Sequence, residues 1–401
     1  MSGTENVDRR SFVMPFVALT CAYVMSQFYR SYVAVIAPQL IDDLHFTART
    51  FGTFSGAFFL TFALFQLPIG IAFDRWGLVR PLVGSMLIGT VGVVALPFVR
   101  DPTLAVIAQG LIGVGCAPVF VGLTNFVLLQ GNEPRSLAAL TSGSAVGMAG
   151  ALGAAYPLAW ASTRFGWRVS LEATGLAFIA SLVAVAVTLR SASTAGPVQQ
   201  DAVARRTRLR YWILVPVCFA MSAGGTFRTS WGGPYLADVF ASDTVHRGLY
   251  MTIASIAALV VSSIVPFLVT RTSARTISCS GMGVGLAAAA CLYQFPDRNV
   301  ALSATMISAL FCVGAIHPVV MSQARSVTPV TQLGTRLGLL NSMVFLGVAV
   351  CSIVFGLIAD HGAARGLSAQ DTYRRIFLFL GLILGMGVLG ALIFARARKD
   401  S

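Results

Sequence analysis

The sequence predicts an all-α integral membrane protein that crosses the bilayer twelve times, in two halves of six helices each. Three observations support this prediction: the composition, the number of apolar runs, and a repeat between the halves. Of the 401 residues, 56% are hydrophobic and 11% are charged, whereas a soluble domain has about 25% charged residues. The mean hydropathy of +0.79 also favours a membrane protein.

Twelve apolar runs approach or exceed the length of about 20 residues that a helix needs to cross a bilayer. Charged and turn-forming residues separate them. We call these runs span 1 to span 12, and they are predicted at residues 12–40, 50–73, 81–98, 103–130, 136–163, 168–190, 211–238, 248–270, 276–294, 300–326, 334–360 and 373–396.

The break between spans 6 and 7 differs from the others. Residues 191–210 read SASTAGPVQQDAVARRTRLR, a polar and basic composition that is typical of a linker. The sequence therefore predicts a six-helix bundle at residues 1–190, a cytoplasmic linker at 191–210 and a second six-helix bundle at 211–401.

Arginine placement predicts the orientation of the chain. With the N-terminus inside, seventeen of the 28 basic residues fall in inner segments and nine in outer segments, as the positive-inside rule requires. Both termini and the linker are therefore predicted to be cytoplasmic, and the arginine-rich composition indicates a bacterial inner membrane. Because the positive charges flank apolar runs, the net charge of +13 indicates membrane orientation rather than nucleic-acid binding.

The two halves resemble each other in sequence. FYRS at 28–31 corresponds to FRTS at 227–230, which sets the two arginines 198 positions apart, and Pro68 and Pro266 are also 198 apart. Two further matches, in spans 4 and 10 and in spans 5 and 11, are 200 positions apart. A parallel repeat of six helices is typical of a large class of secondary transporters.

The loop between spans 2 and 3 carries the most specific motif. Residues 70–80 read GIAFDRWGLVR and resemble the signature G-x-x-x-D-R-x-G-x-x-R of the major facilitator superfamily. The matching residues are Gly70, Asp74, Arg75, Gly77 and Arg80. The resemblance implies two bundles around a central cavity that work by alternating access, with spans 1, 4, 7 and 10 lining the cavity. It also implies that this loop latches the halves together on the cytoplasmic side.

Two arginines lie within spans, Arg30 in span 1 and Arg228 at the corresponding place in span 7. At 1.5 Å per residue, Arg30 lies roughly 5 Å from the middle of its span, where an arginine costs at least about 2.5–3.5 kcal/mol. None of the fifteen acidic residues lies deep within a span. An anionic substrate clamped by both arginines would supply the missing charge. The alternative is a structural role, in which each arginine reaches the interface or bonds to carbonyls freed near Pro38 or Pro234.

Paired arginines on spans 1 and 7 are similar to those of the organophosphate:phosphate antiporters, which include sugar-phosphate permeases. That resemblance implies that Arg30 and Arg228 hold the substrate phosphate. Further candidate substrate contacts are Gln27, Tyr29, Tyr32, Asn125, Trp231, Tyr235 and His317.

Deep carboxylates, the usual proton carriers of such bundles, are absent from the predicted spans. This favours anion exchange, facilitated diffusion or proton coupling through His317, although His317 precedes Pro318 and is equally suited to bond a freed backbone carbonyl.

The leading prediction is a secondary active transporter for a small organic anion, either a carboxylate or a phosphate ester. It would bind that anion, with a counter-transported anion or a proton, and work as a monomer in the lipid bilayer. The alternative is an efflux carrier for amphipathic compounds, with the arginines structural, and a membrane-bound sensor is a further alternative. The sequence has no Walker loop, metal-ligand cluster or nucleophile–base set, so we predict neither an enzyme nor a cofactor.

Overall fold

The computed structural model describes residues 2–128, 133–189, 208–328 and 333–396. Within these ranges the secondary structure is helical, with no strand. The α-helices are Ser2–Ser31, Val33–Asp43, Ala48–Trp76, Val79–Ala95, Pro102–Cys116, Val119–Leu128, Glu133–Gly153, Tyr156–Phe165, Trp167–Leu189, Arg208–Thr226, Gly232–Phe240, Thr244–Arg271, Ala274–Gln294, Val300–Cys312, His317–Ser326, Leu333–Ala364 and Ala369–Arg396. Short 3₁₀ turns occupy Leu96–Phe98 and Val313–Ile316, and a π turn occupies Phe227–Trp231.

These helices follow the predicted spans. Ten helical segments of the described residues are long and apolar enough to cross a membrane. The other two predicted spans, 136–163 and 211–238, are each interrupted, by a turn at residues 154–155 and by the π turn. The observed helices are thus consistent with twelve crossings. Residues 190–207 lie outside the described ranges, so the predicted linker and the domain boundaries beside it stay predictions.

Glycine allows helices within each half to approach closely. A Cβ atom built on Gly89 of span 3 would lie 2.7 Å from the Cα atom of Gly115 in span 4, so the two backbones are in direct contact. Without a hydrophobic driving force between helices in lipid, such close backbone packing is a main source of association.

We call the face that carries the N-terminus and Gly77 the inner face, because arginine placement predicts it to be cytoplasmic. Towards the opposite, outer face, span 2 packs along span 11. A Cβ atom on Gly52 would lie 2.8 Å from the Cα atom of Gly356, and the Ser55 and Ser352 hydroxyls are hydrogen-bonded to each other. These four residues, which we call the outer seal, join the two halves.

Two more pairs of spans close the same side. Span 7 touches span 1 where Gly233 packs on Ala34, because a Cβ atom on Gly233 would lie 2.7 Å from the Ala34 carbonyl carbon. Span 5 touches span 8 where the Tyr156 backbone N–H donates to the Thr252 hydroxyl at 3.1 Å. The two halves are therefore in contact at several places towards the outer face.

The signature loop forms a tight turn at Gly77, which ends the span 2 helix with φ 72° and ψ 177°. Arg75 and Arg80 are exposed beside it, at the inner face. Gly70 lies in the preceding helix, with no atom close to where its Cβ would be. The Asp74 side chain lies outside the described part of the structure, so the latch that the motif implies stays a prediction.

Gly77→Ala should lower the free energy of unfolding by about 1–3 kcal/mol, because this backbone conformation is almost restricted to glycine. Gly70→Ala is the matched control seven residues earlier, and we expect it to be neutral or slightly stabilising in its helix. Thermal midpoints of the purified variants in detergent test this. Equal midpoints for the two variants would contradict the assigned turn.

Candidate substrate cavity

A central cavity of about 730 Å³ lies between the two halves. Its lining extends from Arg30, near the middle of span 1, to Val269 and Ala274 at the inner ends of spans 8 and 9. Among the described residues the halves are in contact towards the outer face, and the cavity is open towards the inner face. The structure is thus an inward-facing arrangement of the two bundles.

Span 1 presents one helical face to the cavity. Tyr23, Gln27 and Arg30 line it at positions i, i+4 and i+7, a spacing that places side chains in one row along a helix. Two residues further on, the span 1 helix breaks at Tyr32, between the segments that end at Ser31 and begin at Val33. Arg30 therefore lies next to an irregular turn, at the end of the cavity that is closed.

The Arg30 guanidinium packs against aromatic rings from both halves. Its carbon lies 4.8 Å from the centroid of Phe62 in span 2 and 4.9 Å from that of Phe345 in span 11. The two rings also contact each other, with centroids 4.4 Å apart. Attraction between the cation and the aromatic faces offsets part of the cost of placing the charge at this depth.

Arg30 has no counter-ion in the described part of the chain. The three ion pairs found there join Arg168 to Asp43, His246 to Asp243 and Arg374 to Asp371, all away from the cavity. No carboxylate lines the cavity, and the buried Nε of Arg30 finds no hydrogen-bond partner among the described residues. Arg30 thus retains its charge and its hydrogen-bonding edge for another group.

Arg228 is placed differently from Arg30. It is 1% exposed, does not line the cavity, and donates from Nη2 to the Met251 carbonyl at 2.9 Å and to the Ser255 hydroxyl, both in span 8. Its guanidinium carbon lies 4.7 Å from the ring centroid of Phe311, which does line the cavity. Arg228 therefore lies one side-chain layer behind the cavity wall.

The π turn explains why the repeat did not predict this difference. Phe227–Trp231 forms a π turn, which holds an extra residue and so rotates the helix relative to a regular one. Span 1 has no such turn at Arg30. Residues that correspond in sequence consequently point to different neighbours in the two halves, and the clamp formed by both arginines stays a prediction.

Two of the other predicted contact residues line the cavity, Gln27 and His317. The buried Oε1 of Gln27 and Nε2 of His317 have no hydrogen-bond partner among the described residues, and Asn341 lies beside the His317 ring. Within the described part of the wall, three buried polar atoms therefore lack a hydrogen-bond partner, on Arg30, Gln27 and His317.

The remaining predicted contact residues are not in the lining. Tyr29 bonds to Thr174 at 3.0 Å, Tyr32 donates to Gln109 at 2.7 Å, and Tyr235 bonds to Ser303 at 2.9 Å, each within its own half. Trp231 packs against Phe51 with ring centroids 5.3 Å apart. Asn125 is half-buried and also lies outside the lining. The three tyrosines and Trp231 are placed to hold helices together in this conformation.

Spans 2 and 11 contribute wall residues that the sequence analysis missed. The resemblance implied a lining from spans 1, 4, 7 and 10, but Phe59, Phe62 and Gln66 of span 2 line the cavity, as do Asn341 and Phe345 of span 11. The span 2 residues and the span 11 residues are each spaced three or four positions apart, which indicates a shared helix face. It went unnoticed because phenylalanine in an apolar span is not distinctive.

Two six-helix bundles around a cavity that opens to one face define a multi-pass membrane transporter. The family model of the Major Facilitator Superfamily matches residues 19–309 and 233–401. The chain therefore belongs to the Major Facilitator Superfamily.

Among curated proteins, the uncharacterized transporter YybO of Bacillus subtilis (strain 168) is 28% identical over 175 residues. The match covers 43% of this chain and only 40% of YybO. It agrees with membership of a transporter family and assigns no substrate.

Solved structures share the fold at low sequence identity. The peptide-transporter-family protein PepTSo has a TM-score of 0.77 at 13% identity, with 98% of each chain covered. A bacterial homologue of the human lysosomal transporter Spinster, in an inward-facing and occupied conformation, has a TM-score of 0.75 at 14% identity, with 95% of this chain and 96% of that chain covered. The nucleoside transporter NupG has a TM-score of 0.73 at 13% identity, with 96% and 99% covered. At such identities, these similarities support the fold alone.

Proposed function

We propose that this protein is a secondary transporter that moves a small organic anion, a carboxylate or a phosphate ester, across a bacterial inner membrane by alternating access. The single observation that carries the proposal is Arg30. It lines the cavity with no carboxylate beside it among the described residues, and its buried Nε is free to donate. A buried charge that lacks a partner is costly, and an anionic substrate removes that cost.

The second arginine, Arg228, is held by span 8. In the inward-facing arrangement Arg228 is held by the Met251 carbonyl and by Ser255, with Phe311 between it and the cavity. Its Nε has no partner among the residues the structure describes. We propose that Arg228 joins Arg30 on the substrate in another state of the transport cycle, when spans 7 and 8 have moved.

A thermal-shift panel of small anions tests this function. Phosphate, sugar phosphates, carboxylates and sulfonates would be added to the purified protein, and hits repeated on Arg30→Ala and Arg228→Ala. A ligand at 100 times its Kd stabilises by about 2.7 kcal/mol, and we expect Arg30→Ala to lose that shift. Arg228→Met, which keeps the side-chain volume, separates a loss of packing from a loss of binding.

Arg298→Ala is the matched control, because Arg298 is exposed outside the cavity and packs on Phe295. An anion that stabilises the wild type and this control, but not Arg30→Ala, supports the proposal. If anions have no effect while neutral or cationic compounds stabilise all variants, the arginines are structural.

The second candidate function is efflux of amphipathic compounds. The observation that favours it is the predominance of apolar side chains in the cavity, which include the rings of Phe59, Phe62, Phe120, Phe311 and Phe345. Binding that is independent of Arg30 and insensitive to the charge of the ligand would select this function over anion transport.

Active transport requires that movement of the substrate be coupled to movement of a second species. The described cavity wall has no carboxylate to carry a proton. The coupled species is therefore a counter-transported anion or a proton carried by His317. We propose that the protein works as a monomer with both termini in the cytoplasm.

A further inference from the structure

We infer that the substrate is an aromatic monocarboxylate, whose carboxylate pairs with Arg30 and whose ring packs against the phenylalanines of the cavity. This inference rests on the proposed function and narrows it. It also predicts that phosphate esters and sugar phosphates are poor ligands in the inward-facing state. Two properties of the cavity support it: its charge and the surroundings of Arg30.

With His317 neutral, the charge of the cavity matches one negative charge. Among the described residues that line the cavity, Arg30 is the only arginine, and they include neither a lysine nor a carboxylate. The second intramembrane arginine is behind Phe311 and bonded to span 8. A phosphate monoester is close to doubly charged near neutral pH, so its second charge would stay uncompensated in a site of low polarity, which is costly.

The surroundings of Arg30 favour a planar anionic group joined to a ring. Phe62 and Phe345 lie 4.8 and 4.9 Å from the guanidinium carbon, and because their ring centroids are only 4.4 Å apart, both rings approach the cation from the same side. Hydrogen bonds from a guanidinium lie in its plane, and a carboxylate accepts two of them in parallel. A ring joined to that carboxylate would extend the aromatic cluster by offset or edge contacts.

Three of the polar side chains on the walls already donate to backbone carbonyls. The Gln66 amide donates to the Ala117 carbonyl at 3.1 Å, Thr229 to the Gly225 carbonyl at 2.8 Å, and Ser222 to the Phe219 carbonyl at 2.6 Å. The unpartnered Gln27 Oε1 and His317 Nε2 suit one or two hydroxyls on an aromatic ring.

The volume agrees with this class of substrate. At about 730 Å³, the cavity falls within the range of roughly 300–1,000 Å³ that holds a drug-sized organic molecule. A one-ring or two-ring carboxylate fits, with room to be released towards the inner face.

Binding of 2-naphthoate, its neutral analogue 2-naphthamide and glycerol 3-phosphate to the purified full-length protein tests the inference. We expect 2-naphthoate to bind at least about tenfold more tightly than either of the others, since one charge-assisted bidentate contact is worth a decade of affinity or more. Arg30→Gln should remove the preference for naphthoate over naphthamide, whereas Arg298→Gln should leave it unchanged.

A ring variant tests the aromatic part separately from the charge. Phe120 lines the cavity in span 4 without contacting Arg30 in the way that Phe62 and Phe345 do. Phe120→Leu should weaken 2-naphthoate several-fold and leave the affinity for acetate unchanged, because aromatic pairing is lost while the arginine is intact.

The outcomes separate the inference from the function on which it rests. If glycerol 3-phosphate binds more tightly than 2-naphthoate and depends on Arg30, anion transport stands and the aromatic class is wrong. If naphthamide binds as tightly as naphthoate and Arg30→Gln has no effect, both are wrong. Because the comparison of naphthoate with naphthamide uses the wild type, it remains decisive even where Arg30→Gln does not fold.

Discussion

Oxidation of a Ser55→Cys/Ser352→Cys double variant should abolish transport, and a reductant should restore it. The two hydroxyls are hydrogen-bonded to each other across the outer seal, from span 2 to span 11, and both residues are buried. A disulfide there would join the halves at the side that must open when the cavity turns outward. Locking the outer seal therefore removes one of the two states that alternating access needs.

The measurement is uptake, into proteoliposomes, of an anion that stabilises the wild type. The seven native cysteines are free and would be replaced first, because Cys351 adjoins the introduced position. Each single-cysteine variant under the same oxidant is the control, and we expect it to transport normally. Binding from the inner face should survive in the locked protein. Unchanged uptake with the disulfide formed would show that this seal does not open during transport.

Gly52→Ala should act in the opposite direction and hold the outer seal open. A Cβ atom on Gly52 would lie 2.7 Å from the Ser352 carbonyl oxygen and 2.8 Å from the Gly356 Cα atom. Both are backbone atoms, which cannot turn away as a side chain does. Overpacking costs about 1–3 kcal/mol, and here the inward-facing state alone bears the cost. We therefore expect about a tenfold or larger shift of the equilibrium towards the outward-facing state.

Modification of Ser352→Cys by a membrane-impermeant maleimide reports this shift. Ser352 is fully buried in the inward-facing structure, so we expect little reaction in a protein that keeps Gly52. Adding Gly52→Ala should raise the rate of modification about tenfold. Gly283→Ala is the control, since no atom lies near the place where its Cβ would be. Equal rates in the two variants would show that the Gly52–Gly356 contact does not hold the seal closed.

The fold could be predicted because a bilayer requires each crossing helix to be apolar, and this property is visible within each span. Every crossing helix must present about 20 apolar residues to lipid, so the spans were readable one by one, and Gly77 was recognisable as a turn within its motif. The repeat and the signature loop identified the superfamily before any helix was placed. The described helices are consistent with the twelve predicted spans, and ten helical segments are long and apolar enough to cross a membrane.

The cavity was only partly predictable. Arg30 was identified because a charge in an apolar span is conspicuous. Gln27 was identified because it flanks Arg30, and His317 because it is a histidine within a predicted span. The phenylalanines of spans 2 and 11 were not, since they resemble the residues that face lipid. Arg228 was predicted from the repeat to face Arg30, whereas in the structure a π turn and two span 8 acceptors place it behind Phe311.

The sequence by itself therefore determined that this chain is a membrane protein of twelve predicted spans, that its halves are related, and that it carries arginines at membrane depth. Only the tertiary structure decided which arginine reaches the cavity, which rings surround it and which ends of the spans are sealed. The physical reason is that lipid contact constrains each span locally. A cavity instead arises from side chains that lie far apart in the chain, such as Arg30 and Phe345, and hydropathy does not record which face of an apolar helix will meet another.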